Sequence, residues 1–560
     1  MMPMILEASR RYCNYLKILK NRLRFQLSTS FKRGEVMKSK YIIPLAAVGL
    51  LTIQAALAQP PAGYNTPIPP EIMTPDKVET EYIGTLEFND GRPTKETADK
   101  IYDHLLYLRA IEVFLNWMPA ASLEAMRRGM VESNITEAHQ VGITDELMDS
   151  NPLFLTGNTD TVYASAILDL ERDGPTVVVI PPNCGPGTVN DAFFRFVVDM
   201  GAPGPDRGQG GKYLILPPDY EGLPISFTDT NSIVSVTAGG KTEPHYVVQS
   251  PSYINWLILR GFLVDGKPDA SVKMFKEGLK IYPLKDAAKP PQMEFFNISK
   301  AVLNTIHANN EEFYNELNHI IQKEPIGFID PELRGLAAAI GIEKGKSFEP
   351  DAHGKAILKD AVAVGNATAR AITLDLRDPD AFLYEGSQWK IAFIGGDYRW
   401  LRNGGIGGRY QDARTLFFYF ATVNTPAMAA KMVGSGSQYA WVERDNMGNY
   451  LEGEKNYKLN IPSDVPAKDF WSVVVYDPQT RSQLQTGQPF PSLNNKKSNF
   501  LENDDGSVDL FFGPSAPEGK ESNWIQTVPG KGWFLILRLY SPLEPWFDKT
   551  WRPGDIELME

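Results

Sequence analysis

The residues with the clearest capacity for chemistry lie in one short turn and the strand after it. Asn158 and Asp160 belong to the turn Gly157-Asn158-Thr159-Asp160, which leads into a predicted strand with Tyr163 on its polar face. A carboxylate and an amide at the mouth of a strand can bind a hydroxyl-rich ligand or, through oxygen, a hard cation. Alternatively, both side chains accept hydrogen bonds from the backbone of their own turn.

A second pair of candidates lies on the next predicted strand of interest, residues 192–200. Arg195 and Asp199 are expected on one face of this strand, opposite Phe194, Phe196 and Val198. An arginine that faces a closed cleft suits an anionic group, whereas an exposed pair contributes little. The alternative is an ordinary polar sheet face. We therefore group Asn158, Asp160, Tyr163, Arg195 and Asp199 as predicted ligand-binding residues.

Arg538 interrupts the apolar run Gly532-Trp533-Phe534-Leu535-Ile536-Leu537-Arg538-Leu539-Tyr540. A buried arginine needs a partner, because an uncompensated buried charge costs several kcal/mol. We expect a structural ion pair with Glu521, and Asp477 is the second candidate partner. A catalytic role for Arg538 is the alternative.

Several common catalytic motifs are missing from the sequence. The six histidines are widely separated, without His-x-His or His-Glu-x-x-His, and Gly-x-Ser-x-Gly does not occur. The segment 341–347 resembles a phosphate-binding loop but is one residue short and follows a helical Ala337-Ala338-Ala339. Cys184 lies in a Pro/Gly turn, where an incidental thiol is an alternative to a nucleophile. The predictions are therefore no metal, no cofactor and no assigned catalytic residue.

The elements that must position these residues are mostly short strands. Apolar residues alternate in 161–170, and further short strands bounded by Pro and Gly are predicted at 176–180, 192–200, 212–216, 245–249 and 255–264, then at 415–422, 471–476, 508–512 and 533–540. A 3.6-residue period indicates a helix over 94–128, interrupted at Pro119, and composition favours helices between 271 and 371. This predicts a mainly β fold with an α insertion.

Three sequence motifs resemble a known pair of domains. Asn158-Thr159-Asp160-Thr161-Val162-Tyr163 is similar to the bacterial exported family called domain of unknown function 1254. Residues 470–477, 520–524 and 538–540 resemble its usual companion, domain of unknown function 1214. The resemblance implies two jelly-roll-like antiparallel β-sandwiches bridged by a helical segment, and it implies no established activity.

The predicted organisation divides the chain into seven segments. They are a mis-called upstream extension (1–36), a signal peptide (37–58), a Pro-rich arm (59–93), an N-terminal helical segment (94–150), a first β-sandwich (151–270), a helical insertion (271–371) and a second β-sandwich (372–560). Lys38 and Lys40, the apolar run 41–57 and Ala56-Leu57-Ala58 form the signal, so the mature chain is expected to begin at Gln59. A basic tail before a membrane anchor is the alternative. We expect a periplasmic or secreted protein.

The net negative charge of the chain restricts the kinds of molecule that it is expected to bind. Residues 1–58 contain ten basic and two acidic residues, so the rest of the chain has a formal charge of −20, against −12 for the whole. Such a surface repels phosphodiesters and anionic lipid, so we expect no nucleic acid partner and no stable membrane span in the mature form.

Two functions remain open at the level of sequence. The first is an exported ligand-binding or assembly protein for a small molecule or glycan, with homo-oligomers formed by exchange of the Pro-rich arm. The alternative is a hydrolase acting on carbohydrate or another polar substrate through paired carboxylates such as Asp160 and Asp199. The binding protein requires fewer unseen features, because no nucleophile or metal cluster has to be found.

Overall fold

The computed structural model describes residues 66–222 and 233–559. The predicted upstream extension, the signal peptide and the cleavage site before Gln59 lie outside the described residues. Residues 66–74 belong to a separate N-terminal unit and contain one 3-10 turn, Pro70–Ile72; the larger compact unit begins at Pro75. Within the described ranges, no helix combines the length and apolar character that crossing a bilayer requires.

The predicted Pro-rich arm is only partly irregular. Residues 77–93 form a small antiparallel sheet of β1 (Lys77–Thr80), β2 (Gly84–Asn89) and β3 (Arg92–Pro93). The sheet leads into helix α1 (Lys95–Glu132), whose first turn is capped because the Thr94 side chain accepts from the Thr97 amide.

The first β-sandwich consists of two sheets. One has the strand order β14 (Glu294–Asn297), β4 (Gln140–Ile143), β5 (Thr161–Asp169), β12 (Ile254–Phe262), β7 (Pro186–Asp191) and β8 (Phe196–Gly201). The other has the order β10 (Ile233–Ala238), β11 (Lys241–Gln249), β9 (Gly211–Leu216), β6 (Thr176–Ile180) and β13 (Lys280–Pro283). Their facing apolar side chains, including Val162, Val178, Tyr213 and Leu257, share one buried core.

The second β-sandwich is built in the same way. Its larger sheet has the order β15 (Lys390–Ile391), β16 (Ser437–Val442), β22 (Phe534–Pro542), β18 (Ala467–Tyr476) and β19 (Ser492–Asn494). The smaller sheet has the order β21 (Trp524–Gln526), β20 (Val508–Gly513), β17 (Tyr457–Ile461) and β23 (Ile556–Leu558). The mainly β fold with two sandwiches is confirmed. The sheets are mixed, however, because β4 and β14, β9 and β11, and β20 and β21 pair in parallel.

Helices pack against both sandwiches. Besides α1 they are α2 (Leu170–Asp173), α3 (Asp269–Gly278), α4 (Glu312–Lys323), α5 (Pro331–Ala339), α6 (Ala352–Leu374), α7 (Gln411–Phe420), α8 (Pro426–Ala429) and α9 (Glu544–Phe547). Short 3-10 turns lie at Leu284–Asp286, Ile326–Phe328, Pro379–Ala381 and Glu521–Asn523, and a tight turn at Arg402–Gly405. Helix α1 packs on α4, α5, α6 and α7.

Two predictions about local structure are wrong. Residues 415–422 were expected to form a strand, but 411–420 form α7. Its residues 413–420 are all buried, so the sequence has no polar face to reveal the helical period. Helix α1 also continues through Pro119 without a break. Residues 116–126 are buried on all sides, and this packing offsets the hydrogen bond that proline removes.

Candidate ligand-binding chamber

One strand of each sandwich, β12 in the first and β22 in the second, has an outer face that is apolar except for one arginine. Side chains alternate along a strand, so Leu257 and Leu259 of β12 enter the core of the first sandwich. The opposite face of β12 presents Trp256, Ile258 and Arg260. Strand β22 of the second sandwich alternates in the same way and presents Phe534, Ile536 and Arg538. Each strand therefore brings one arginine to the apolar layer between the sandwiches.

Each arginine is paired with a tyrosine at the directly opposite position of the neighbouring strand. Arg260 lies opposite Tyr163 of β5, with its guanidinium carbon 5.8 Å from the ring centroid. Arg538 lies opposite Tyr439 of β16, at 5.9 Å, and 5.5 Å from the ring of Tyr476. These separations suit attraction between a cation and the face of an aromatic ring. The two sandwiches thus contribute matching arginine and tyrosine pairs.

The two pairs line one cavity of about 50 Å³, which we call the central chamber. This is room for a few water molecules or a compact ligand. Aromatic and aliphatic side chains complete the wall, among them Phe393, Phe417, Phe420, Met428 and Trp441. Thr156 and Val423, which also line it, have φ angles of 44° and 69°. Such angles are strained for β-branched residues, and strain of this kind concentrates at functional sites.

Arg538 is buried, as expected, but the predicted ion pair is wrong. Its Nη2 donates to the Thr156 carbonyl at 2.6 Å, while Nη1 has no partner among the described residues. Glu521 accepts from the Gly519 amide on the surface, and Asp477 is paired with Lys531. Since the outer face of β22 points toward the chamber, neither carboxylate is within reach.

Arg260 also lacks an ionic partner within the described part of the chain. No carboxylate lies within 4.0 Å of its guanidinium. Arginine remains protonated at any pH the fold would meet. The central chamber therefore contains two permanent positive charges, held in a largely apolar wall that screens them poorly.

Asp199 lies in an adjoining cavity that also includes Arg260, Ile258, Val423 and Met428 in its wall. The Thr425 hydroxyl donates to its carboxylate at 2.7 Å. Burial raises the pKa of Asp199 to about 6, although hydrogen bonds from Thr425 and Thr188 and the charge of Arg260 act in the opposite direction. Asp199 is thus a buried carboxyl group in the cavity that shares Arg260 with the chamber.

Asn158 has mainly the turn-forming role that was the alternative at the level of sequence. Its Oδ1 accepts from the amides of Asp160 and Thr161 and from the Thr161 hydroxyl, at 2.9–3.1 Å. Its Nδ2 donates to the hydroxyl of Tyr540 in the second sandwich. Asn158 borders the chamber, as does Tyr163.

Asp160 does not face the central chamber. It lines a different cavity together with Phe262, Asn494 and Lys496. Asp160 Oδ1 accepts from Asn494 Nδ2 at 2.7 Å and from the Thr159 hydroxyl, whereas Oδ2 has no described partner. The predicted grouping of Asp160 with Tyr163 is therefore not found in one cavity.

Arg195 lies apart from the other candidates. Strand β8 begins at Phe196, so Arg195 belongs to the turn after β7 and does not share a strand face with Asp199. Asp191 fixes this turn: its carboxylate accepts from the amide and Nε of Arg195. The Arg195 side chain lines a separate cavity beside α7.

Two chamber residues, Arg260 and Tyr439, were missed at the level of sequence. The signal for Arg260 was present, because it interrupts the apolar run Ile254-Asn255-Trp256-Leu257-Ile258-Leu259-Arg260 in the way that Arg538 interrupts its own strand. Tyr439 carries no comparable signal, since tyrosine is common in strands. Its position depends on the register between β16 and β22.

Neither the cysteine nor the metal-ligating side chain types form a second candidate site in the described residues. Burial raises the pKa of the Cys184 thiol to about 12, which removes its thiolate character at neutral pH. Within residues 66–222 and 233–559, no group of three or more His, Cys, Asp or Glu side chains could hold a metal ion.

The chain was compared with curated proteins and with solved structures. No curated protein matches the chain significantly. A crystal structure of a Vibrio parahaemolyticus protein is 16% identical and covers 81% of this chain and 100% of its own, with a TM-score of 0.47. An uncharacterised protein from Burkholderia cenocepacia is 12% identical and covers 83% of this chain and 96% of its own, with a TM-score of 0.37.

Family profiles match both halves of the chain. Protein of unknown function (DUF1254) matches residues 139–283, which contain Tyr163 and Arg260. Protein of unknown function (DUF1214) matches residues 436–544, which contain Tyr439 and Arg538. The chain thus contains DUF1254 followed by DUF1214, the order that its motifs predicted, and each matched region supplies one arginine and one tyrosine to the central chamber.

Proposed function

We propose that the protein binds a small anionic ligand, a compact carboxylate, in the central chamber. The observation that carries the proposal is that Arg260 and Arg538 line one cavity without a carboxylate partner among the described residues. Two like charges around a common cavity repel each other, and the apolar wall strengthens that repulsion. An anion between them turns the repulsion into two charge-assisted contacts.

The size and lining of the chamber define the ligand further. About 50 Å³ admits a short-chain acid rather than a glycan. Unused donors on Arg538 suit the carboxylate, and Phe417, Phe420 and Trp441 suit a short apolar tail. Of the two functions considered from the sequence, a small-molecule binding protein is the one that these features support.

The hydrolase alternative has less support. A paired-carboxylate reaction needs two carboxyl groups on either side of one scissile bond. Asp160 and Asp199 line different cavities. Asp199, with a pKa of about 6, has the character of a general acid but has no second carboxylate in its cavity wall.

Thermal unfolding with simple acids tests the proposal. Acetate, propionate and phosphate, each at ionic strength matched with chloride, are added to the purified protein. We expect acetate or propionate near 100 times its Kd to raise the unfolding midpoint by several degrees, since binding then stabilises by about 2.7 kcal/mol. Chloride matching separates binding from general screening.

The Arg260→Gln variant should lose this shift. The matched control is Arg552→Gln, because Arg552 also lies over a tyrosine, Tyr384, at 5.1 Å but does not line the central chamber. An acid-induced shift that persists in Arg260→Gln, or the absence of any shift in the parent protein, would contradict the proposal.

We also propose that the protein is exported and matures at Gln59. The support is the arrangement of basic, apolar and small residues over 37–58. Expression with and without residues 1–36, followed by N-terminal sequencing of the exported form, tests this. A mature chain that retains Arg10 would contradict it. Sedimentation of the exported form tests assembly into homo-oligomers through the Pro-rich arm.

A further inference from the structure

A second cavity, on the other side of α7, collects arginines from three parts of the chain. Its volume is about 330 Å³. We call it the arginine cavity, after the four arginines that line it: Arg195, Arg399, Arg409 and Arg414. The wall between this cavity and the central chamber includes Phe393 and Trp400, whose rings stack 5.2 Å apart, with Phe393 on the chamber side and Trp400 on the arginine side.

The positive charge in this cavity is only partly compensated. Asp191 pairs with Arg195, and Asp397 pairs with Arg399. Asp330 lines the cavity itself. Its carboxylate accepts the Leu333 amide as the N-cap of α5, and its charge also acts on Arg409 and Arg414. No ion pair involves Arg409 or Arg414 within the described ranges. The cavity therefore carries an excess of positive charge.

Arg414 is the most deeply buried of these four arginines. It is 5% exposed, and its Nη2 donates to the Asn116 side chain at 2.7 Å, which is a neutral acceptor. Burial, followed by the nearby charge of Arg409, lowers the pKa of Arg414 to about 10. A buried guanidinium with a neutral partner is electrostatically costly.

Several buried donors in the same wall have no acceptor. They are Nη2 of Arg195, Nε of Arg414 and Nε1 of Trp400, none of which has a hydrogen-bond partner in the described structure. Unpaired buried donors are rare, and each costs about 1–3 kcal/mol. Phe194 and Trp400 add strain, with φ angles of 52° and 59°. Three orphaned donors around one cavity indicate a missing acceptor.

We propose that the arginine cavity is a second binding site, which takes an oxyanion carried on an apolar organic body. The arginine and indole donors bind the oxyanion oxygens. The apolar part of the ligand packs on the aromatic side chains of the wall, Phe193, Phe196 and Phe418. This site is independent of the one proposed for the central chamber, because the two share no arginine.

Calorimetric titration of the full protein with phenyl phosphate, inorganic phosphate and benzyl alcohol tests this proposal. We expect phenyl phosphate to bind, phosphate to bind more weakly and benzyl alcohol not to bind. Affinity should fall with added salt, since charge dominates. Equal heats for phenyl phosphate and benzyl alcohol would overturn the oxyanion role.

Arg409→Gln is the first variant, because Arg409 is exposed and its side chain donates only to the Arg399 carbonyl. Its loss should weaken phenyl phosphate binding about tenfold, the effect of roughly one charge-assisted contact. Arg402→Gln is the matched control. Arg402 lies in the same loop and stacks on Tyr410 at 3.6 Å, but does not line the cavity.

Arg195→Lys is the second variant. It keeps a positive charge beside the buried Asp191 and removes the orphaned Nη2, so the fold is preserved while the site changes. Binding should weaken in this variant and stay unchanged in Arg260→Gln. If Arg260→Gln abolishes phenyl phosphate binding while Arg195→Lys and Arg409→Gln retain it, the ligand occupies the central chamber and the proposed second site is wrong.

Discussion

The side chain of Asn158 donates to the hydroxyl of Tyr540 at 3.1 Å, and this bond joins the turn before β5 to β22 of the other sandwich. Both residues are buried. The same asparagine fixes its own turn by accepting from Asp160 and Thr161. One side chain therefore shapes the chamber border and connects the two domains.

We predict that substituting the two residues of this hydrogen bond lowers the free energy of unfolding by different amounts. Asn158→Ala strands two buried amides and should lower the free energy of unfolding by about 2–5 kcal/mol. Tyr540→Phe removes one hydrogen bond and should cost about 0.5–1.5 kcal/mol. Denaturant unfolding measures both. Equal losses would mean that the turn does not depend on Asn158.

A buried arginine without a carboxylate should behave differently from a buried ion pair. Arg538→Met leaves only the Thr156 carbonyl without its donor, so we expect a loss of about 1–2 kcal/mol. Lys390→Met should cost about 3 kcal/mol, because the side chains of Lys390 and Glu443 are 2% and 3% exposed. Removal of the lysine leaves the buried acid with Arg444 Nε, at 3.4 Å, as its remaining ionic partner. Denaturant midpoints compare the two.

Glu521→Gln is the control for Arg538, and it should change stability by less than about 0.5 kcal/mol, as is usual for a surface position. If Arg538→Met cost as much as Lys390→Met, or if Glu521→Gln cost as much as Arg538→Met, Arg538 would have an ionic partner after all.

His307 should make the fold sensitive to acid. Burial, with a further contribution from the charge of Arg481, lowers the pKa of His307 to about 3. The folded state thus favours the neutral imidazole. The contribution of His307 to stability is therefore complete above pH 6.5, and it is lost as pH falls toward 3, because the unfolded chain binds the proton more readily. The slope is up to about 1.4 kcal/mol per pH unit.

His307→Gln should flatten this acid limb, as measured by urea unfolding between pH 6.5 and 4.5. The control is His353→Gln, which removes an exposed imidazole bonded to Asp103. A parent-like slope in His307→Gln would show that His307 does not titrate with unfolding.

The contribution of Asp199 to folding stability should change with pH in the opposite direction to that of His307. Its folded pKa, about 6, is above the ordinary value of 3.8 because of burial. The stability that Asp199 contributes is therefore present at low pH and is lost as pH rises through 6. Asp199→Asn keeps an acceptor for the Thr425 hydroxyl, so its stability relative to the parent should increase between pH 4 and 7.

The comparison for Asp199 is the exposed Glu518→Gln. This control should show no such change between pH 4 and 7. A constant difference between Asp199→Asn and the parent over that range would mean that Asp199 ionises equally in the folded and unfolded states.

Local elements with a clear hydrophobic period were predictable from the amino-acid sequence. Alternation in 161–169 and the 3.6-residue repeat after Thr94 specify β5 and α1, because side-chain direction follows backbone geometry. An arginine inside an apolar strand also marked Arg538 as buried. Periodicity failed for α7, because its residues 413–420 are all buried.

Which candidate residues lie in the same cavity was not predictable from the sequence. Asp160, Arg195 and Asp199 line three different cavities, and the structure places Arg260 beside Tyr163 instead. Strand pairing joins residues about 100 positions apart, and contact between the sandwiches joins Asn158 to Tyr540. The sequence carries no local trace of such contacts, because they depend on register and on packing between distant segments.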